Sequence, residues 1–162
     1  WGTHSGSGVM WLENNGDWTF TGHTPFAADQ QQMHDIRIFD CNSDGHLDFG
    51  YVQESNSPNR IHVNGGNATT WENPPTNPIA LASQHAECLA VADFDGDGVL
   101  DMYMCGNNAG GTMLRGTGDC EFVEDIAYFD AGADKGKEVA LPYDYDADGL
   151  VDLLVAASTA GS

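Results

Sequence analysis

The sequence predicts an all-β chain made of repeated four-stranded units, about three repeats of ~51 residues. Three observations carry this. A nine-residue pattern, D-x-[D/N]-x-D-G-x-x-D, occurs at residues 40–48, 93–101 and 144–152, with first residues 53 and 51 positions apart. Short apolar or β-branched runs of strand length flank each copy. Between the copies a second pattern recurs at a spacing of 51, marked by Leu12, Val63 and Leu114 and again by Phe20, Trp71 and Phe122.

In chain order, the first element is a hairpin: an apolar strand through Leu12, a turn over residues 14–17, and a strand carrying Phe20. Then come a strand ending in Ile36-Arg37-Ile38-Phe39, the first acidic loop, and a strand over residues 49–52. A glycine turn over residues 65–68 closes the next hairpin, between Val63 and Trp71. Residues 88–92 and 102–104 flank the second loop, and a turn over residues 116–119 separates Leu114 from Phe122. Residues 139–141 and 153–155 flank the third. Four strands over some 40–50 residues are the pattern of a β-propeller blade.

The predicted organisation is a single repeat domain: 1–33 a half-blade, 34–85 a blade, 86–136 a blade, and 137–162 a half-blade. The first half-blade holds a hairpin with no acidic loop before it; the last holds a loop, and one further period would place its hairpin near position 165. A ring of three blades requires a turn of about 120° at each, whereas propellers have 4–8 blades. The half-blades complete one another within the chain, or between copies as a ring or filament, or the chain is a piece of a longer propeller. Open sheet edges are avoided in folded proteins, which favours completion. Trp1 in place of an initiating Met reads as a processed, trimmed or partial product.

The loops predict three structural Ca²⁺ sites. Several acidic side chains around one point repel unless a cation lies among them, and Ca²⁺ takes 6–8 oxygen ligands in flexible geometry. The glycine at position 6 permits the sharp turn, and position 7 offers its main-chain carbonyl. The candidate ligands are Asp40, Asn42, Asp44, His46 (carbonyl) and Asp48; Asp93, Asp95, Asp97, Val99 (carbonyl) and Asp101; and Asp144, Asp146, Asp148, Leu150 (carbonyl) and Asp152. An EF-hand shares the first six positions but needs Glu at position 12 and helical flanks. Position 12 is Tyr51, Met104 and Val155, and the flanks are strands. Asn42 leaves the first loop one charge short, so it should bind most weakly.

Charge and cysteines bound the partners and the compartment. Asp plus Glu number 25 against 5 Lys plus Arg, a net charge of −20. That excludes phosphate-contacting nucleic-acid binding and polybasic membrane docking, and no apolar run is long enough for membrane insertion. Four cysteines with acidic loops fit an oxidising, calcium-rich exterior, secreted or at the cell surface. Cys88 and Cys105 lie symmetrically about the second loop and are expected to pair; Cys41 and Cys120 are left as a second bridge, an intermolecular bridge or free thiols. Asn67-Ala68-Thr69 is a glycosylation acceptor.

No nucleophile elbow, zinc-protease helix or phosphate loop occurs, the acidic residues are committed to metal, and the six histidines lack ligand spacing. The chain is read as a non-enzyme. Trp71 and Trp18 are expected to pack, whereas Trp1 and Trp11 are less constrained and could stack on sugar. The proline stretch at residues 73–78 reads as a stiff connection between blades.

Together, the loops and hairpins of the type WLENNGDWTFT, over nearly the whole chain, resemble the FG-GAP/VCBS repeats of integrin-like calcium-binding β-propellers. The integrin Phe-Gly…Gly-Ala-Pro signature is missing, so the bacterial-type VCBS form is the closer match. The resemblance implies structural Ca²⁺ within blades and roles in adhesion, in carbohydrate binding, or as the scaffold of a polysaccharide lyase. The expected function is structural assembly or adhesion through self-association or another extracellular protein. A lectin-like module binding a glycan is the alternative, and a lyase scaffold the third reading.

Overall fold

The computed structural model describes residues 9–24, 33–53, 59–67, 70–72, 86–106, 111–124 and 137–157. These residues form strands and turns with no helix, in the order β1 (Trp11–Asn14), β2 (Phe20–His23), β3 (Met33–Phe39), β4 (Asp48–Gln53), β5 (Arg60–Asn64), β6 (Trp71–Glu72), β7 (Ala86–Ala92), β8 (Asp101–Gly106), β9 (Gly111–Gly118), β10 (Glu121–Glu124), β11 (Lys137–Tyr143) and β12 (Asp152–Ala157). Two four-stranded antiparallel meanders, β3-β4-β5-β6 and β7-β8-β9-β10, have the form of propeller blades, and β1-β2 and β11-β12 are two-stranded sheets. The all-β expectation and the four-stranded repeat are both met.

Each acidic loop joins the first two strands of a unit in one register. Phe39 lies opposite Asp48, Ala92 opposite Asp101 and Tyr143 opposite Asp152, so the loop's ninth residue is also the first residue of the second strand. The units stack through their first strands, β3 against β7 and β7 against β11. Because side chains alternate across a strand, each inner sheet buries two faces. Phe39, Val52 and Ile61 of the first blade meet Leu89, Met102, Met104 and Leu114 of the second. The second blade's other face, with Cys88, Ala90, Tyr103 and Cys105, packs against Ala140, Leu153 and Val155. Fully burying a side chain such as Leu89 or Met104 stabilises the fold by about 1.5–3 kcal/mol, and the core of the molecule is these two seams between units.

Polar contacts reinforce the first seam. The Asp35 carboxylate pairs with Arg37 and accepts the Leu89 N–H at 3.0 Å, and His34 Nδ1 lies 2.5 Å from a Glu87 carboxylate oxygen. Two disulfides are formed, and no free cysteine remains. Cys88–Cys105 joins residues directly opposite one another in β7 and β8, as the sequence predicts. Cys41–Cys120 crosses the seam, from the first acidic loop to the β9–β10 turn of the second blade.

Two expectations are corrected. The turn of the third hairpin lies at Asp119-Cys120, whose φ angles of 51° and 61° suit a two-residue turn matching strand twist. Gly116, expected in that turn, instead sits inside β9. It is there for clearance, since a Cβ on it would fall 2.2 Å from the Leu100 carbonyl oxygen. Trp18, expected to pack, is 97% exposed with φ 68°: it belongs to the β1–β2 turn, where strand alternation does not apply. Trp71 does pack, edge-on against Phe49 at 4.9 Å, and Trp11 stacks on His23 at 4.0 Å. Trp1 and the proline stretch lie outside the described residues.

Gly116→Ala forces backbone against backbone between β9 and the second loop. The expected cost is about 2 kcal/mol, read as a melting temperature lower by roughly 4–8 °C for a chain of this size.

Candidate metal centres in the acidic loops

The three loops are wired by closely similar hydrogen bonds, in which carboxylates accept main-chain N–H groups; at position 1 the second loop takes the N–H of position 4 where the others take that of position 5. At position 1, Asp40 accepts from Asp44 and Gly45 at 3.1 and 2.9 Å, Asp93 from Gly96 and Gly98 at 2.7 and 2.9 Å, and Asp144 from Asp148 and Gly149 at 3.1 and 3.0 Å. At position 3, Asn42, Asp95 and Asp146 accept the N–H of position 5 at 3.2, 3.1 and 3.1 Å. At position 5, Asp44, Asp97 and Asp148 accept the N–H of His46, Val99 and Leu150, each at 2.8 Å. These bonds close the chain around the carboxylates. The His46 N–H also holds the Asp44 carboxyl below the usual range.

The tight winding needs two left-handed residues per loop. Position 6 supplies one, with φ of 85°, 89° and 94° at Gly45, Gly98 and Gly149. Position 4 supplies the other, with φ of 58° at Ser43, 78° at Gly96 and 63° at Ala147. Only the second loop shows this in sequence, through its extra glycine. At the other two the side chain bears the left-handed penalty of roughly 1–2 kcal/mol.

Position 9 ties the loop to the sheet. Oδ2 of Asp48, Asp101 and Asp152 accepts the position-2 N–H, from Cys41 at 2.9 Å and from Phe94 and Tyr145 at 2.8 Å. Oδ1 of Asp48 accepts the N–H of Asn64 at 2.8 Å, and Oδ1 of Asp101 that of Gly116 at 2.8 Å. Asn64 and Gly116 belong to the third strand of each blade, so this aspartate latches the loop to the sheet beyond it. Asp48 and Asp101 are buried, at 0% and 2% exposure, and burial pushes both carboxyls up, aided by neighbouring loop aspartates. A divalent cation beside them acts the other way, favouring the ionised form.

The residues fit such a cation. In the second loop, carboxylate oxygens of Asp93, Asp95 and Asp101 lie within 4.8 Å of one another, as do those of Asp144, Asp146 and Asp152 in the third. An all-oxygen set suits a hard cation such as Ca²⁺. Asp97 and Asp148 stand outside these triads, turned to the position-7 N–H. In the first loop Asp48 lies near the sulfurs of Cys41 and Cys120, which are consumed in the disulfide and offer no thiolate. The Asn42 Nδ2 donates to Asp44 at 3.0 Å, turning an amide where the other loops have a carboxylate.

Residues 40–104, spanning the first two loops and the hairpin between them, match the family model for an FG-GAP-like repeat. The resemblance seen in the sequence therefore holds for this stretch. No curated protein matches the chain.

Asp101→Ala leaves the buried Gly116 N–H and the part-buried Phe94 N–H without their acceptor, at a cost of about 3 kcal/mol that persists in chelator. Asp95→Ala, exposed and outside the latch, loses the Asp97 N–H bond in either condition, so its melting temperature should fall further below that of the unmodified protein in calcium than in EDTA. Ala147→Gly relieves a left-handed side chain and should raise the melting temperature by roughly 2–4 °C. Parallel thermal melts with and without EDTA separate the three effects.

Proposed function

We propose that this chain, a β-repeat module carrying an FG-GAP-like repeat, is calcium-stabilised, extracellular and non-catalytic, and works in structural assembly or adhesion through self-association. The observation that supports it is the convergence of three carboxylates in each of two loops, in a loop form that occurs three times, each joining the first two strands of a unit. Ca²⁺ held there neutralises mutual repulsion and ties the loop's two flanking strands together. Its place at the strand joint suits a staple. The two disulfides suit an oxidising exterior.

One observation favours a glycan as an additional ligand. Trp18 projects from the tip of the β1–β2 turn at 97% exposure, and an indole so placed is a flat apolar surface for a sugar ring. Glycan-array binding that is lost in Trp18→Ala supports this second reading, and an unchanged array removes it.

Calorimetric titration should find three calcium ions per chain, the weakest in the first loop, with Asn42→Asp bringing that site level with the others. At free calcium of 100 times the dissociation constant, each site adds about 2.7 kcal/mol, so EDTA should lower the melting temperature by many degrees. A melt indifferent to EDTA overturns the calcium reading. Sedimentation at dilute concentration tests self-association, and a monomer in calcium overturns it.

A further inference from the structure

The latch at position 9 is complete twice and half-made once. Asp48 and Asp101 each hold an N–H from their own loop and one from a third strand, whereas Asp152 holds only the Tyr145 N–H among the described residues. Among the described residues no third strand is paired with β12, and the β1-β2 hairpin has no neighbour in its sheet.

The β1–β2 hairpin is built like the β5–β6 hairpin that fills this place on β4. Asn14 Oδ1 accepts the Gly16 N–H at 2.8 Å, and Asn64 Oδ1 accepts that of Gly66 at 3.0 Å. Gly16 and Gly66 have φ of 84° and 85°, the following rung is Asn15 N to Thr19 O in one and Gly65 N to Thr70 O in the other, and Asn14 pairs with Phe20 as Asn64 pairs with Trp71. Asn14 is therefore the counterpart of Asn64, whose N–H is the latch donor and whose Nδ2 donates to Leu47 O at 3.2 Å. By the same correspondence Leu12 and Phe20 match Leu114 and Phe122. Those two are buried, at 1% and 5%, whereas Leu12 and Phe20 are 57% and 55% exposed.

We infer that the β1–β2 hairpin of a second copy adds to β12 and completes a third blade. This rests on the self-association proposed above and names its register. Asn14 N–H meets Asp152 Oδ1, Asn14 Nδ2 meets the Val151 carbonyl, and Leu12 lies opposite Leu153. The last pairing follows from both finished blades, where Phe49 faces His62 and Met102 faces Leu114. The docked hairpin prolongs an existing interface, because Leu153 and Val155 already pack against the second blade. A second copy is the donor because the chain's own hairpin leads into β3, at the far end of the β3–β7–β11 row, and β1 and β2 contact chiefly each other. Hairpin and edge are different surfaces, so the contact is heterologous and propagates into a ring or a filament.

The test mixes two single variants, Leu12→Cys and Leu153→Cys, in calcium under mild oxidation, with sedimentation of the unmodified protein alongside. The expected result is a covalent dimer of one chain of each kind, at least tenfold more abundant than from Glu13→Cys with Leu153→Cys. Asn14→Pro, which removes an N–H on the free edge of β1, should cut that yield about tenfold. Oligomers without the Leu12–Leu153 crosslink, or with Glu13 crosslinking as well, overturn the inference while self-association stands. A monomer without crosslinks overturns both. A crosslink formed inside one monomeric chain carrying both cysteines overturns the second copy as donor.

Discussion

A carboxylate buried in a sheet has to find hydrogen-bond donors for both oxygens, and the rest of this structure depends on where Asp48 and Asp101 find theirs. One donor is in the aspartate's own loop; the other lies 16 or 15 residues further on, in the third strand. The bond pair sets the distance between loop and sheet and the register of the third strand. An apolar residue at position 9 could pack, but it could not choose between neighbouring registers. A net hydrogen bond to a charged group contributes about 1.5–3 kcal/mol. Its larger effect is that every shifted register leaves a buried charge without donors.

Much of this was legible in the sequence because the pieces are local. Loop ligands fall within nine residues, a glycine marks the left-handed turn, and strands flank the loops in runs that no helix period would produce. The 51-residue phase then grouped loop and hairpin into one unit. What stayed hidden is contact between segments far apart in the chain. Nothing local says that Asp101 takes the Gly116 N–H, or that Gly116 is small because Leu100 O passes behind it; a glycine beside Thr117 and Gly118 looks like a turn. Cys41 and Cys120 pair because the first loop's second residue faces the next blade, where the second loop has Phe94 in the same role. Trp18 was misplaced by one step of backbone geometry: a positive φ takes it out of the strand and into water.

The stacking is directional. The second blade presents one face to the unit before it and a different face to the unit after it, so the two seams are non-identical yet of one kind. The first seam is crossed by the Cys41–Cys120 disulfide and by the Asp35–Leu89 and His34–Glu87 contacts as well as by apolar side chains, whereas the second packs Cys88, Ala90, Tyr103 and Cys105 against Ala140, Leu153 and Val155. On β11 the outward side chains Val139, Leu141 and Tyr143 are 42%, 47% and 66% exposed, which leaves the forward face of the last unit apolar. Tyr143 and Tyr145 meet edge to face there at 5.4 Å.

The Cys41–Cys120 bridge gives the molecule a mechanical asymmetry. It closes a covalent loop 79 residues long that contains most of both complete blades. A chain that length would extend to roughly 270 Å if it came undone. Tension applied through residues before Cys41 and after Cys120 instead passes across the bridge. The strands between the two cysteines, β4 to β9, are then spared, while the hydrogen bonds of β3 and β10 to them and the outer hairpins take the strain. A protein exposed to flow would yield first at its ends and keep its middle intact. Reduction of a single bond would convert it from a short, stiff link into a long, extensible one.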